Sequence, residues 1–168
     1  MTHRVVLALG SNLGDRLENL QGGVDALLSI PGLDFVAMSP VYETDPVGGP
    51  AQPDYLNAVL ITQTTLPARA VLDLGLAVEK EFHRTRGVAS GPRTLDIDVI
   101  VFDHEISDDP ELTLPHPRAH ERAFVLAPWL DADPDARIPG RGRVADLLAR
   151  VTAAGVRRRD DYVLMAPA

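Results

Sequence analysis

The apolar positions of this chain follow two rhythms that alternate along its length. Val5 to Leu9 is an unbroken apolar run closed by Gly10, the pattern of a short strand buried on both faces. From Asp15 to Leu28 the apolar residues Leu17, Leu20, Val24, Leu27 and Leu28 keep helical spacing, and Asp15 with Glu18 three residues on resembles a capping box. Pro31-Gly32 ends that helix. Leu33 to Tyr42 reads as a second strand with a bend at Ser39-Pro40, and Tyr55 to Gln63 as a third. Between them, Glu43 to Pro53 holds three prolines and two glycines in eleven residues, a long loop of the kind that carries function in compact domains. Pro67 opens a helix through Phe82, with Leu66, Ala70, Val71, Leu74, Val78 and Phe82 on or near one face. His83 to Pro92 is a second loop, polar and basic. Ile97 to Phe102 is apolar on both faces, which predicts a central strand.

Strand, helix, strand, strand, helix, strand is the split βαβ order of an α/β (α+β) fold, a ferredoxin-like antiparallel sheet with helices on one face. A Pro-rich stretch (Leu114 to Pro117), a helical segment near Glu121 to Leu130, an Asp- and Pro-rich loop (Asp131 to Gly140) and a short helix near Val144 to Val151 follow. Arg157 to Ala168 mixes charge with a small apolar patch. With no repeat and no linker, residues 1–168 are expected to form a single domain, and that length suffices for a real core.

Composition narrows the chemistry. No apolar run approaches the roughly 20 residues that span a bilayer, and no signal-peptide core is evident, so a cytoplasmic protein without a membrane partner is expected. The absence of cysteine excludes disulfides, thiol nucleophiles and thiolate metal sites. A net charge of −8 argues against nucleic acid as a partner. Lys80 is the single lysine among sixteen basic residues and sits in a helical pattern after Val78-Glu79. It fits neither a P-loop nor the strand lysine of a protein kinase. Any grip on phosphate must come from arginine, histidine, metal or backbone N–H groups.

Asp96 and Asp98 stand two apart at the mouth of an apolar strand. Side chains at that spacing share a face, about 6.6–6.8 Å apart along the strand. They would repel unless a cation sat between them, and they can converge on one or two magnesium ions, although two solvated acids at a strand end would look the same. Arg84, Arg86 and Arg93 fall within ten residues with no acid between them, and the arginine fork suits phosphate oxygens. Acids for metal and arginines for phosphate within fifteen residues are what a nucleoside triphosphate requires. His116 and Arg122 form a second basic pair, although His116 alone reads equally as structural. Tyr55 and Asn57 share a strand face, an aromatic ring and an amide that suit a flat heterocycle or a half-buried strand. Gly10-Ser11-Asn12-Leu13-Gly14 before a helix has the look of a phosphate loop, but ordinary turn chemistry accounts for it and the G-x-G-x-x-G spacing is missing.

GSNLGDR at 10–16, PDYLNA at 53–58, R-x-R at 84–86, GPRTLDIDVIVF at 91–102, LPHPR at 114–118 and ERAFVLAPW at 121–129 occur in that order over nearly the whole chain. Together they resemble the 6-hydroxymethyl-7,8-dihydropterin pyrophosphokinases of folate biosynthesis. The resemblance implies an αβα sandwich on the ferredoxin-like sheet, ATP and hydroxymethyl dihydropterin as substrates, two Mg2+ ions, and AMP and the pterin diphosphate as products. It implies Asp96 and Asp98 as metal ligands, and Arg84 and Arg93, with Asp96 and Asp98, as the catalytic set. Arg84, Arg86, Arg93, His116 and Arg122 would face the triphosphate, with Glu79, Val99 and Thr113 near the nucleotide. Tyr55 and Phe124 would sandwich the pterin, Asn57 would read its edge, and Thr44, Asp45 and Val47 would close its pocket. A monomer is expected. Ser90 stands where many members carry tryptophan, Pro117 where many carry an aromatic residue, and Leu76 where some carry a polar one. Two other readings remain open from sequence: a phosphotransferase with another hydroxyl acceptor, and a non-catalytic ligand-binding module on the same scaffold.

Overall fold

A computed structural model of the chain describes residues 1–46, 52–83 and 94–166. The first apolar run forms β1 (His3–Ser11), followed by α1 (Arg16–Leu28), β2 (Leu33–Met38), β3 (Tyr42–Thr44), β4 (Tyr55–Thr64), α2 (Ala68–His83) and β5 (Asp96–Phe102). Then come a hairpin of β6 (Ser107–Asp109) and β7 (Leu112–Leu114), a 3-10 turn at Ala119–Glu121, and α3 (Ala123–Ala132). A two-stranded ribbon of β8 (Arg137–Ile138) and β9 (Gly142–Arg143), α4 (Val144–Arg150) and β10 (Val156–Arg158) complete the chain. Asp15 caps α1 as expected, accepting from the Glu18 N–H at 3.1 Å.

The six-stranded sheet runs β10-β3-β4-β1-β5, with β2 also on β4, and every pairing is antiparallel. Taking β2 and β3 as one strand broken at Ser39-Pro40, this is the ferredoxin-like order. The bend lets one stretch of chain pair with both halves of β4: Leu33 lies opposite Thr64, and Thr44 opposite Tyr55. Thr44 thus ends a strand, although the sequence puts it in a loop.

Both faces of the sheet are covered. Val5, Leu7, Leu9, Leu56, Leu60, Ile97 and Val99 pack with Leu20, Val24, Leu27, Val71 and Val78 of α1 and α2. Val6, Val59, Ile61, Ile100 and Val101 pack on the other face with Val125, Leu126 and Trp129 of α3 and Val144 and Leu147 of α4. The result is an αβα sandwich, as the resemblance implies. One expectation fails: β5 is an edge strand, not a central one. It is apolar on both faces because helices cover both. Its free side is partly covered by the chain after β7, where the His116 N–H donates to the Ile100 carbonyl at 2.8 Å.

Candidate active site

The register across three strands makes a strip of missing volume. Gly10 on β1 lies between Asn57 on β4 and Asp96 on β5, and Ala8 lies between Val59 and Asp98. With strands about 4.8 Å apart, the amide and the carboxylate rise from the sheet about 10 Å from each other, with only a hydrogen and a methyl group between them. A Cβ on Gly10 would come within 2.9 Å of Asn57 Oδ1 and 3.6 Å of the Tyr55 ring. Ile97 and Val99 point into the α1/α2 core, so Asp96 and Asp98 face the opposite side, toward α3. There the start of α3 closes over the strip. The hollow measures about 400 Å³ and is lined by Ala8, Leu9, Gly10, Thr44, Asp45, Gln52, Tyr55, Asn57, Ala58, Asp96, Asp98, Arg118, Glu121, Arg122, Phe124 and Val125.

Sequence-predicted residues from four separated segments therefore meet in one place. At one end, the buried Asn57 amide donates to Thr44 Oγ1 at 2.5 Å. That bond fixes its orientation and leaves Oδ1 over Gly10. Tyr55 and Phe124 line the same hollow, and the Arg122 guanidinium sits 5.6 Å from the centroid of the Phe124 ring. At the other end are the two aspartates. Four carboxylates (Asp45, Asp96, Asp98, Glu121) face two guanidiniums (Arg118, Arg122), so a polyphosphate needs further positive charge.

Asp96 and Asp98 are hard oxygen donors on one face, as magnesium prefers, but among the described residues no cluster of three or more acidic or histidine side chains could hold a metal alone. The donor set fits a cation completed by substrate phosphates, not a closed protein cage.

Other predicted residues lie outside the hollow's lining. Glu79, on α2, accepts from the Ile97 N–H through Oε2 at 2.6 Å, pinning β5 between the two aspartates. Val99 buries its side chain in the α1/α2 core. Thr113 lies on β7, its hydroxyl donating to the Asp109 carbonyl at 3.0 Å. The His116 Nδ1 accepts from the Arg118 N–H at 3.2 Å. Burial holds its imidazole below the usual histidine range, Asp98 pulls it back up, and Arg122 and Arg118 push it down again. Val47, Arg84, Arg86 and Arg93 fall outside the described residues, as do Ser90 and most of the basic loop.

The hollow also contains residues the sequence reading passed over. Arg118 and Glu121 lie within motifs already quoted, but a surface-like Arg and Glu near a helix start carry no signal of their own. Gln52 sits in the Pro- and Gly-rich loop. The turn after β1 is occupied differently from a phosphate loop. The Asn12 amide donates to Gln52 Oε1 at 2.9 Å and to the Pro53 carbonyl at 3.0 Å. Arg16 donates to Glu43 Oε2 at 2.7 Å and to the Asp54 carbonyl at 3.0 Å. The GSNLGDR segment holds the entrance to β4.

A model of the family described as 7,8-dihydro-6-hydroxymethylpterin-pyrophosphokinase (HPPK) matches residues 6–134. Among curated proteins, a 2-amino-4-hydroxy-6-hydroxymethyldihydropteridine pyrophosphokinase of Pseudomonas aeruginosa is 40% identical over 158 residues, covering 94% of this chain and 98% of that protein. One of Mycobacterium tuberculosis is 42% identical over 98% of this chain and 90% of its own length. Among solved structures, an HPPK-DHPS in complex with substrates superposes with a TM-score of 0.68 at 10% identity, over 88% of this chain. A Plasmodium falciparum HPPK-DHPS superposes at 0.68 and 12% identity, over 89% of it. The chain spans less than half the length of those two structures, 43% and 45%. The chain belongs to the HPPK family.

Proposed function

We propose that this pyrophosphokinase binds both of its substrates in the hollow above Gly10 and Ala8, with the pterin at the Asn57 end and the ATP phosphates at the Asp96–Asp98 end. The observation that carries this reading is the register itself: one glycine separates the amide from the first carboxylate, so a flat acceptor on one side and a polyphosphate on the other are in reach of each other. The enzyme transfers pyrophosphate from ATP to the hydroxyl of 6-hydroxymethyl-7,8-dihydropterin, in folate biosynthesis. In our reading a single domain spanning 1–168 does so.

Tyr55 and Phe124 would flank the pterin ring, and Asn57, its N–H donated to Thr44, would offer Oδ1 to a ring donor. Asp96 and Asp98 would hold two Mg2+ ions together with the phosphates. Bound there, the ions supply charge neutralisation and polarisation of the phosphoryl oxygens. Arg84, Arg93, Arg86 and Arg122, with His116, would carry the rest of the phosphate charge, and Glu79 would hold β5 in place. The pterin oxygen attacks the β-phosphorus, the bond from that phosphorus to the α–β bridging oxygen breaks, AMP leaves, and the hydroxyl proton passes to solvent. Positioning and electrostatics do most of this work.

Phosphorus NMR of the protein with ATP, magnesium and hydroxymethyl dihydropterin tests the reading. AMP and a new diphosphate ester are expected, and both should vanish when a chelator removes the metal. Release of ADP would mean ordinary phosphoryl transfer and would overturn it.

A further inference from the structure

The densest ionic cluster among the described residues gathers on β10, beyond the stretch that matches the family model, and reaches the hollow through Asp45. β10 pairs antiparallel with β3, placing Val156 opposite Thr44 and Arg157 opposite Glu43. The ladder continues past both ends: the Asp45 N–H donates to the Gly155 carbonyl at 2.9 Å, and the Arg159 N–H to the Val41 carbonyl at 2.8 Å. Gly155 has φ +79°, a left-handed conformation that favours glycine, and a Cβ there would displace the exposed Asp45 carboxylate, whose Oδ2 would lie 2.6 Å away. The Arg157 guanidinium spreads over three carboxylates. It donates to Asp45 Oδ1 at 2.9 Å, to Asp54 Oδ2 at 2.9 Å and to Glu43 Oε1 at 3.2 Å.

Those partners lie on both sides of the acceptor end of the hollow. Asp45 is the residue after Thr44, and Asp54 the residue before Tyr55. One side chain therefore ties the exit of β3 to the entrance of β4, the two places from which Thr44 and Tyr55 project. Arg157 is 43% exposed and Asp45 60%, so such pairs add little to global stability; what a three-way fork fixes is geometry.

We propose that Arg157 is a positioning residue for the acceptor, its fork clamping Asp45 and Asp54 just beyond the terminal Thr44–Tyr55 pair of the ladder, so that Asp45 and Tyr55 keep their places in the wall of the hollow and with them the affinity for the flat heterocycle. This rests on the reading that the pterin lies at the Asn57 end. Steady-state kinetics on the full chain tests it. Arg157→Ala should raise the KM for hydroxymethyl dihydropterin roughly tenfold while kcat, the KM for ATP and the melting temperature stay near wild type. Arg157→Lys should recover part of that loss, since a point charge answers one carboxylate at a time. Asn57→Ala serves as the reference. If Asn57→Ala raises the pterin KM and Arg157→Ala does not, the proposal fails while the pocket stands. If Asn57→Ala leaves the pterin KM unchanged, the pocket assignment fails and the positioning role fails with it. Parallel rises in both KM values with a lowered melting temperature would make Arg157 merely structural.

Discussion

At the scale of single residues, the chemistry turns on what stands between like and unlike groups. Asp96 and Asp98 share a face and line one hollow, and no lysine and few described arginines are there to offset them. Two such carboxylates are tolerated because the hollow opens to water and because a cation can bridge them. Asp96→Asn or Asp98→Asn should therefore cut turnover by about a hundred- to a thousandfold or more, while circular dichroism and the melting temperature stay at or above wild type. Near-normal turnover in either variant at saturating magnesium would remove these residues from the metal assignment. Spacing of two on a strand is a geometric statement, so sequence alone put Asp96 with Asp98 and Tyr55 with Asn57 on shared faces, while leaving solvated acids and a half-buried strand as open readings. It could not reveal that Gly10 and Ala8 clear the ground between them. A glycine at a strand end reads as a turn until the register with both neighbouring strands is known.

At the scale of elements, long periodic segments were legible and short ones were not. α1, α2 and β4 carry ten or more residues of consistent rhythm. β3 and β10, of three residues each, carry no rhythm: β3 forms on the ladder of β4, and β10 on that of β3. A backbone ladder joins that pair, and an ionic cluster centred on a partly buried carboxylate lies across it. Glu43, with its side chain 12% exposed, accepts from Arg16, Arg157 and Arg159. Burial pushes its carboxyl up, but the three guanidiniums outweigh that and hold it below its ordinary value of 4.5. A carboxylate depressed in the folded state stabilises the fold fully above its unfolded value and loses that contribution as pH falls through the folded one. Glu43→Gln should thus cost about 1.5–3 kcal/mol at pH 7, and the gap to wild type should close as pH drops below about 4.5. Chemical denaturation at several pH values checks this. A gap that is constant with pH would show that shape, not charge, is what the glutamate provides.

At the scale of the molecule, one sheet serves two apolar layers with different duties. The α1/α2 layer meets β5 through Ile97 and Val99, the back of the strand whose front carries the aspartates. The α3/α4 layer shares its helix with the hollow: Trp129, 2% exposed, anchors α3, and Phe124 packs partly on that same cluster while lining the site. The ferredoxin-like order was readable from the sequence of elements, whereas this division of labour was not, since it depends on which face each strand residue presents. It has a measurable consequence. Trp129→Ala should cost about 3–5 kcal/mol and Leu27→Ala, in the opposite layer, about 2–5 kcal/mol. Assayed well below either unfolding transition, the two should nevertheless part company. Trp129→Ala loosens the helix that places Arg122 and Phe124 and should raise the pterin KM severalfold, whereas Leu27→Ala, two layers away, should leave it near wild type. Equal KM values in the two variants would mean that the roof is set locally by Arg122 and Phe124, with no help from the core beneath α3.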